Sequence, residues 1–569
     1  MASEHVENSA SPKGVMQRDG PGNSDDEKAH YTDELESCQI AAMQPSERAG
    51  TRRDIKSRHA QMIAIGGSVG TALFVGAGQV LAIGGPAFLF LSYVFMCFFV
   101  YCVVTAVIEV GTHLPVSGSS MAYYCTRYVS GSLGFALGWL YAYSFGILVA
   151  YEITAAAIVI DYWPNNVHTA VWLTVMLVVV VGLNLSPVAV YAETEFWFAS
   201  LKIILIMGLL ILSVILMLGG GPSGEMLGFK YWEDPGATKE YLVDGDAGRF
   251  TAFLYALIFS GFSFYFSPEL IIVTGGEIRH PRKNLKIASR RFFYRLLVFY
   301  LLGSLAIGAT CKSTADGLTS GAGNADASPW VIAIRDAGIR GLPSVVNAGI
   351  LTSAWSAGNS YLYMSSRSLY SLAISGNAPK IFARCNRYGL PIYAVLACSL
   401  FSLLAYLSVS SQAGVVFNWF VNLTNTAGYT SWIIRSVIFL RFRAACCEQG
   451  YKAPYRSFMQ PYGAWIAMIT FTFLLLTNGF TVFYPGQFTV SEFMTAYAGI
   501  PLFLAFYFGH KFTVGRKDPW FYKAKDIDIT TNLREVEADA EMWDIMARQE
   551  KENRGRGQKW WRKVSAIWG

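Results

Sequence analysis

The sequence predicts an all-α, polytopic membrane protein with about twelve transmembrane helices. Three observations predict it. Of 569 residues, 53% are hydrophobic and 15% charged, with a mean hydropathy of +0.35, whereas an ordinary soluble domain carries about 25% charged residues. Apolar runs recur along the chain, each near the ~20 residues needed to cross a bilayer. Several short loops between them are strongly basic, while others hold no Lys or Arg at all.

The runs fall at residues 59–82, 87–111, 132–160, 168–187, 195–219, 251–274, 292–311, 342–373, 392–410, 415–440, 461–483 and 491–512. The loop after the sixth carries Arg279, Arg282, Lys283, Lys286 and Arg290. Those after the eighth and tenth carry Lys380, Arg384 and Arg387, then Arg441, Arg443, Lys452 and Arg456. Loops 161–168, 411–414 and 484–490 carry no Lys or Arg. The excess of positive charge on the cytoplasmic side then places both termini in the cytoplasm. Residues 1–57 read as a polar, disordered tail, 58–512 as the transmembrane domain and 513–569 as a second cytoplasmic tail. No cleavable signal peptide is visible, so the first span is expected to serve as its own insertion signal. The net charge of +6 is modest. Each basic run abuts a span, which argues against a nucleic-acid surface and for the lipid bilayer as partner.

The first span holds Gly66, Gly67, Ser68, Gly70 and Thr71 close together. An interior Gly costs a helix roughly 1 kcal/mol relative to Ala, and Ser and Thr compete for backbone hydrogen bonds. In hydrocarbon, freed backbone groups are tolerated only where protein or a water-lined cavity satisfies them. The cluster therefore reads as a helix broken at mid-membrane, the mark of a secondary-transporter binding site. Close helix packing through Gly66-xxx-Gly70 is the plainer reading. A dinucleotide fingerprint is excluded, because no acidic residue follows until Glu109. The sixth span repeats the oddity in Ser260-Gly261-Phe262-Ser263-Phe264-Tyr265-Phe266-Ser267-Pro268-Glu269, where Pro268 removes a backbone donor. Spans one and six would correspond if two five-span halves are inverted repeats, and their breaks would then meet at the midplane.

Ionisable groups inside spans are functional candidates by default. Glu109, Glu152, Lys202 and Glu269 all lie within or beside apolar runs. Lys202 reads either as an interior group able to titrate during transport or as a side chain snorkelling to the interface. Glu152 sits amid small residues, which suggests that it faces other helices, with an interhelical hydrogen bond as its structural reading. The nine Cys show no CxxC and no His at metal-ligand spacing, so a metal site and a disulfide framework are not expected. No catalytic triad or phosphate loop stands out, so neither an enzyme nor a cofactor is expected.

At these residues the chain resembles the fungal amino-acid permeases, the yeast amino acid transporter family of the amino acid–polyamine–organocation superfamily. The resemblance runs from about Arg58 to Glu537. It is carried by Gly66-Gly67-Ser68-Val69-Gly70-Thr71-Ala72-Leu73-Phe74, by Leu114-Pro115-Val116-Ser117-Gly118-Ser119 and by Pro268-Glu269-Leu270 with Pro281-Arg282-Lys283-Asn284. Leu351-Thr352-Ser353-Ala354-Trp355-Ser356-Ala357-Gly358-Asn359-Ser360, Gly376-Asn377-Ala378-Pro379-Lys380, Phe417-Asn418-Trp419 and Pro454-Tyr455-Arg456-Ser457 agree with it. The resemblance implies a LeuT-like fold of two inverted five-helix repeats plus two helices, importing amino acids with protons across the plasma membrane. It implies that backbone amides around Ser68, Val69, Gly70, Thr71 and Ala72 meet the substrate carboxylate. Carbonyls around Ser260, Gly261, Phe262, Ser263 and Phe264 would meet the ammonium. Lys202 would take part in proton coupling, with Glu152 and Glu269 as further candidates. Ubiquitin-ligase machinery acting on tail residues such as Lys13 and Lys28 is implied in the same way.

The chain departs from the family's usual Gly at Ala72, from Gly-Thr-Glu at Ser267-Pro268-Glu269, and from a polar third-span residue at Leu140. Substrate identity therefore stays open, although Phe262, Phe264, Tyr265 and Phe266 suit a neutral or aromatic side chain unless they merely pack. An amino-acid sensor without net transport is the competing class. A permease for choline, a polyamine or γ-aminobutyrate is a third reading.

Overall fold

A helix occupies each of the predicted stretches. The computed structural model describes residues 70–115, 120–164, 166–265, 269, 281–319, 328–386, 389–410 and 413–552, with no β-strand among them. Ser68 and Val69, the run Phe266-Ser267-Pro268, and both tail lysines lie outside the described residues.

A π-helical turn, Ala72–Gly76, leads into α1 (Ala77–His113). Then come α2 (Met121–Tyr128), α3 (Gly131–Ile160), α4 (Thr169–Asn184), α5 (Val188–Met217) and α6 (Gly245–Phe262). The chain continues through α7 (Pro281–Thr310), α8 (Pro329–Asp336), α9 (Leu342–Ile374), α10 (Ile392–Ser402) and α11 (Ala413–Glu448). It ends with α12 (Tyr462–Thr477), α13 (Val490–Tyr497), α14 (Gly499–Phe512) and α15 (Leu533–Glu552). Among the described residues, four helices are individually long and apolar enough to cross a membrane. α13 and α14, bent by 44° to each other, meet the same criterion as a pair.

The first two spans are joined inside α1 at Gly85, whose φ of +79° and ψ of 173° break the helix before Pro86. A side chain there would meet the Ala237 carbonyl oxygen at 2.9 Å, so the sharp reversal needs glycine. The loop before α6 laces this corner. The Ala87 N–H donates to Ala237 O at 2.8 Å, and Lys239 Nζ donates to Ala82 O at 2.8 Å.

α3 is buried on nearly all sides, as an evenly apolar helix should be. It runs against α9, with α10, α11 and α14 around it. α5 is the opposite case. Trp197, Leu201, Ile204, Ile211 and Leu218 are exposed along one side, while Glu195, Ala199, Lys202, Ile206 and Leu209 are buried on the other. An apolar outer stripe over a polar inner one is what a lipid solvent selects.

The end of the bundle bearing the basic loops is fastened by an ion pair. Glu109, fully buried near the end of α1, accepts from Arg443 Nε of α11 at 3.0 Å and from its Nη2 at 3.1 Å. The Ser457 amide donates to the same carboxylate. Residues after α14 fold back onto this end. His113 Nε2 lies 2.9 Å from Ile529 O, Arg127 Nε donates to Asp528 O at 2.7 Å, and Gln449 Nε2 donates to Ile527 O at 2.7 Å. Removing one member of a buried, bidentate pair strands the other, at a cost of about 3–5 kcal/mol. Glu109→Ala is therefore expected to lower the thermal midpoint of the detergent-solubilised protein clearly, as followed by fluorescence-detected size exclusion after heating. A midpoint equal to the parent's would show that the pair does not fasten this end.

Candidate functional site

The backbone is described on one side of each predicted break. The chain bends at Gly70, and helical structure starts at Thr71. α6 stops at Phe262 and gives way to turns over 263–265. A helix that begins inside the membrane turns its first N–H groups, and the positive end of its dipole, toward whatever lies before it.

Glu152 of α3 is held against the first break. The Thr71 hydroxyl donates to Glu152 Oε2 at 3.0 Å and lies 3.1 Å from the Tyr151 hydroxyl. Gly70 makes this approach possible, because a β-carbon there would stand 2.8 Å from Glu152 Oε1. Gly358 of α9 gives room on another side, its missing β-carbon lying 3.5 Å from Glu152 Cβ. Glu152 is 2% exposed, so this carboxyl is reached from within the bundle. Ala72 follows at once in the π-helical turn and is buried.

At the second break the turn is tight. Ser263 N–H donates to Ser260 O at 3.2 Å, Phe264 N–H to Gly261 O at 3.0 Å, and Tyr265 N–H to Phe262 O at 3.2 Å. The Ser263 carbonyl accepts from the Tyr300 hydroxyl at 2.7 Å, and Tyr93 OH pairs with Ser263 Oγ at 3.0 Å. A carbonyl has two lone pairs, so each keeps capacity for a further donor. The aromatic run divides. Phe262 meets the Tyr151 ring edge-on with centroids 4.8 Å apart, and Phe417 lies 4.5 Å from the same ring. Phe264 instead packs on Tyr300 at 4.5 Å, and Tyr265 on Trp432 at 4.9 Å. Phe262 thus belongs with Thr71 and Glu152, and the other two with the scaffold.

Lys202 does not snorkel. α5 starts at Val188 rather than near residue 195, so Lys202 lies about 21 Å along it at 1.5 Å per residue, and it is 1% exposed. Its ammonium is attracted to two carboxylates, Glu195 and Glu152. Glu269 sits elsewhere. It is paired with the fully buried Arg435 and accepts from Ser431 Oγ at 3.0 Å. Arg435 also reaches the Tyr141 hydroxyl at 3.2 Å. Tyr141 and Glu152 are about 16 Å apart along α3 by helix rise, so the two acids occupy separate environments.

Glu195 is a functional candidate that the reading of the sequence missed. It is fully buried, accepts from Ser356 Oγ at 2.6 Å and lies 3.4 Å from Asn359 Nδ2 of α9. The signal was present: Glu195, Ala199, Lys202, Ile206 and Leu209 follow one another at helical spacing. Arg435 was missed as well. Among the described residues, no group of three or more His, Cys, Asp or Glu is placed to hold a metal ion.

Broken helices facing a buried acid beside a buried lysine form a polar centre inside an otherwise apolar bundle, suited to a small zwitterion. Residues 59–523 match the family described as Amino acid permease. The chain belongs to that family. It is 47% identical to a proline-specific permease of Emericella nidulans, over 86% of this chain and 90% of that protein. It is 44% identical to a proline-specific permease of Saccharomyces cerevisiae, over 86% of this chain and 80% of that one. Among solved structures, it resembles a manganese transporter mutant of Eremococcus coleocola with a TM-score of 0.53. That likeness covers 86% of this chain and 94% of that one at 13% identity, and it bears on the fold alone. The fold is LeuT-like, and this amino acid permease is a multi-pass membrane protein.

Gly70→Ala forces a methyl against Glu152, and overpacking of this kind costs about 1–3 kcal/mol. The variant is expected to reach the membrane at the parent's level and to lose about tenfold or more of its amino acid uptake, as one decade is about 1.4 kcal/mol. Radiolabelled uptake normalised to surface protein reads this out. Unchanged uptake would place the transport site away from Glu152.

Proposed function

We propose that this permease imports proline, or a neutral amino acid of similar size, into the cell by proton symport at the plasma membrane, with both termini in the cytoplasm. The observation that carries the reading is the contact of Thr71 at the first break with Glu152, walled by Tyr151, Phe262 and Phe417. Amides from Ser68 to Ala72 take the carboxylate, favoured by the helix dipole. Carbonyls around Ser260 to Phe264, with Glu152, take the ammonium. A short apolar side chain or ring rests on the aromatic faces, which offer contact area at little entropic cost. A cationic side chain would need another acid, and Glu269 is paired with Arg435 while Glu195 is held by Ser356, Asn359 and the charge of Lys202. Two relatives of 44% and 47% identity named as proline-specific support the choice of substrate.

Proton coupling rests on Lys202, a buried amine beside Glu152, since burial makes a charge depend on its partners and lets one proton be traded during a cycle. Uptake of a panel of radiolabelled amino acids in permease-deficient yeast tests the proposal. Proline is expected to accumulate best, more at acidic than at neutral outer pH, with collapse on addition of an uncoupler. Uptake indifferent to pH and uncoupler would reject symport. Binding at the cell surface with no uptake of any amino acid would identify a sensor instead.

A further inference from the structure

We infer that Glu195 is the inner station of the proton path, receiving the proton from Lys202 and passing it to the basic-loop end of the bundle. The inference rests on the symport reading and extends it by one residue.

Position comes first. On α5, Glu195 lies about 10 Å from the Val188 end and Lys202 about 21 Å, at 1.5 Å per residue. Side chains on a helix lean toward its N-terminus, so Lys202 reaches back toward Glu195. Its ammonium is attracted to both Glu195 and Glu152. One turn nearer the helix start is Tyr191, stacked on Tyr363 with ring centroids 4.6 Å apart. Tyr191 and Tyr363 line a small recess with Asn184, Ser186, Arg367 and Leu390. Ser186 and Leu390 belong to the connections before α5 and α10, beside the basic loop that carries Lys380 and Arg384. A polar series thus leads from Thr71 through Glu152, Lys202 and Glu195 to that end of the protein.

Charge comes second. One ammonium offsets only one of two buried carboxylates, so the set accommodates one more proton without net charge, and an uncompensated buried charge is costly. The titratable groups facing it include Tyr151 of α3, Tyr300 of α7 and Tyr361 of α9 near Glu152, and Tyr191 near Glu195, with Arg367 of α9 facing Tyr191. The hydrogen bonds from Ser356 and Asn359 hold the Glu195 carboxyl in place, and Asn184 Nδ2 secures Asn359 Oδ1 at 2.7 Å. The steps balance. The Lys202 ammonium gives a proton to the Glu195 carboxylate, the amine so formed takes the proton of the Glu152 carboxyl, and Glu195 releases its proton to cytoplasmic water, leaving one ammonium and two carboxylates.

Glu195→Gln keeps the shape and both contacts, its oxygen accepting from Asn359 and its amide donating to the Ser356 hydroxyl, and cannot carry the proton. In the full chain it is expected to bind proline with little change in Kd, yet to lose about tenfold or more of its accumulation at acidic outer pH and most of the pH dependence. Glu195→Asp should restore accumulation with a displaced pH profile. Accumulation and pH profile equal to the parent's in Glu195→Gln would overturn the inference. So would loss of binding together with accumulation without rescue by Asp, which would mark a structural role. If Glu195→Gln fails to reach the membrane, the pH profile of Glu195→Asp decides: displaced supports the inference, unmoved overturns it. Insensitivity of the parent protein to uncoupler would instead remove the symport reading, and the inference with it.

Discussion

The structure depends on keeping charge inside a low-dielectric bundle without leaving it alone. Glu152, Lys202 and Glu195 are buried in this conformation, each 2% exposed or less. An isolated ion there would cost several kcal/mol. Three features of the surrounding fold meet that cost. The break at Gly70 brings a backbone and a hydroxyl onto Glu152, the polar stripe of α5 sets Lys202 between the two acids, and Ser356 and Asn359 of α9 hold Glu195. The residues that relieve the buried charge are also those that face the proposed substrate and proton, so a change of occupancy is felt by α1, α3, α5 and α9 together.

The other buried ion pairs have a different chemistry. Glu269 with Arg435, and Glu109 with Arg443, each join one acid to one guanidinium, and the Ser431 hydroxyl and the Ser457 amide donate to the respective carboxylates. Arg keeps its charge at any physiological pH, so such pairs suit fastening rather than proton exchange. A lysine between two acids suits exchange. The identity of the cation thus separates the joints of the bundle from its working centre.

Much of the fold was legible because lipid imposes simple rules. Apolar runs of bilayer length marked the long apolar helices, though not the short α2 and α8 or the polar α15. The start of helix at Thr71 and its end at Phe262 fall at small and turn-forming residues that a continuous helix would not favour. The burial of Glu152 could be read from the small residues that follow it, Thr154 and Ala155 to Ala157. What could not be read was partnership across the bundle. Nothing local shows that Glu269 meets Arg435, a contact between segments 166 residues apart in the chain by their numbers. The depth of Lys202 was misjudged because α5 begins at Val188, seven residues before the apolar run that marked it. With the earlier start, Glu195 falls inside the helix and on the same face as Lys202.

The central claim is that substrate sits between the two helix breaks beside Glu152. A cryo-electron microscopy map of the full chain with saturating proline tests it most directly. The account predicts density for one proline with its carboxylate at the amides preceding and including Ala72 and its ring against Phe262 and Tyr151. Density for proline elsewhere, with that space filled by side chains, would contradict it.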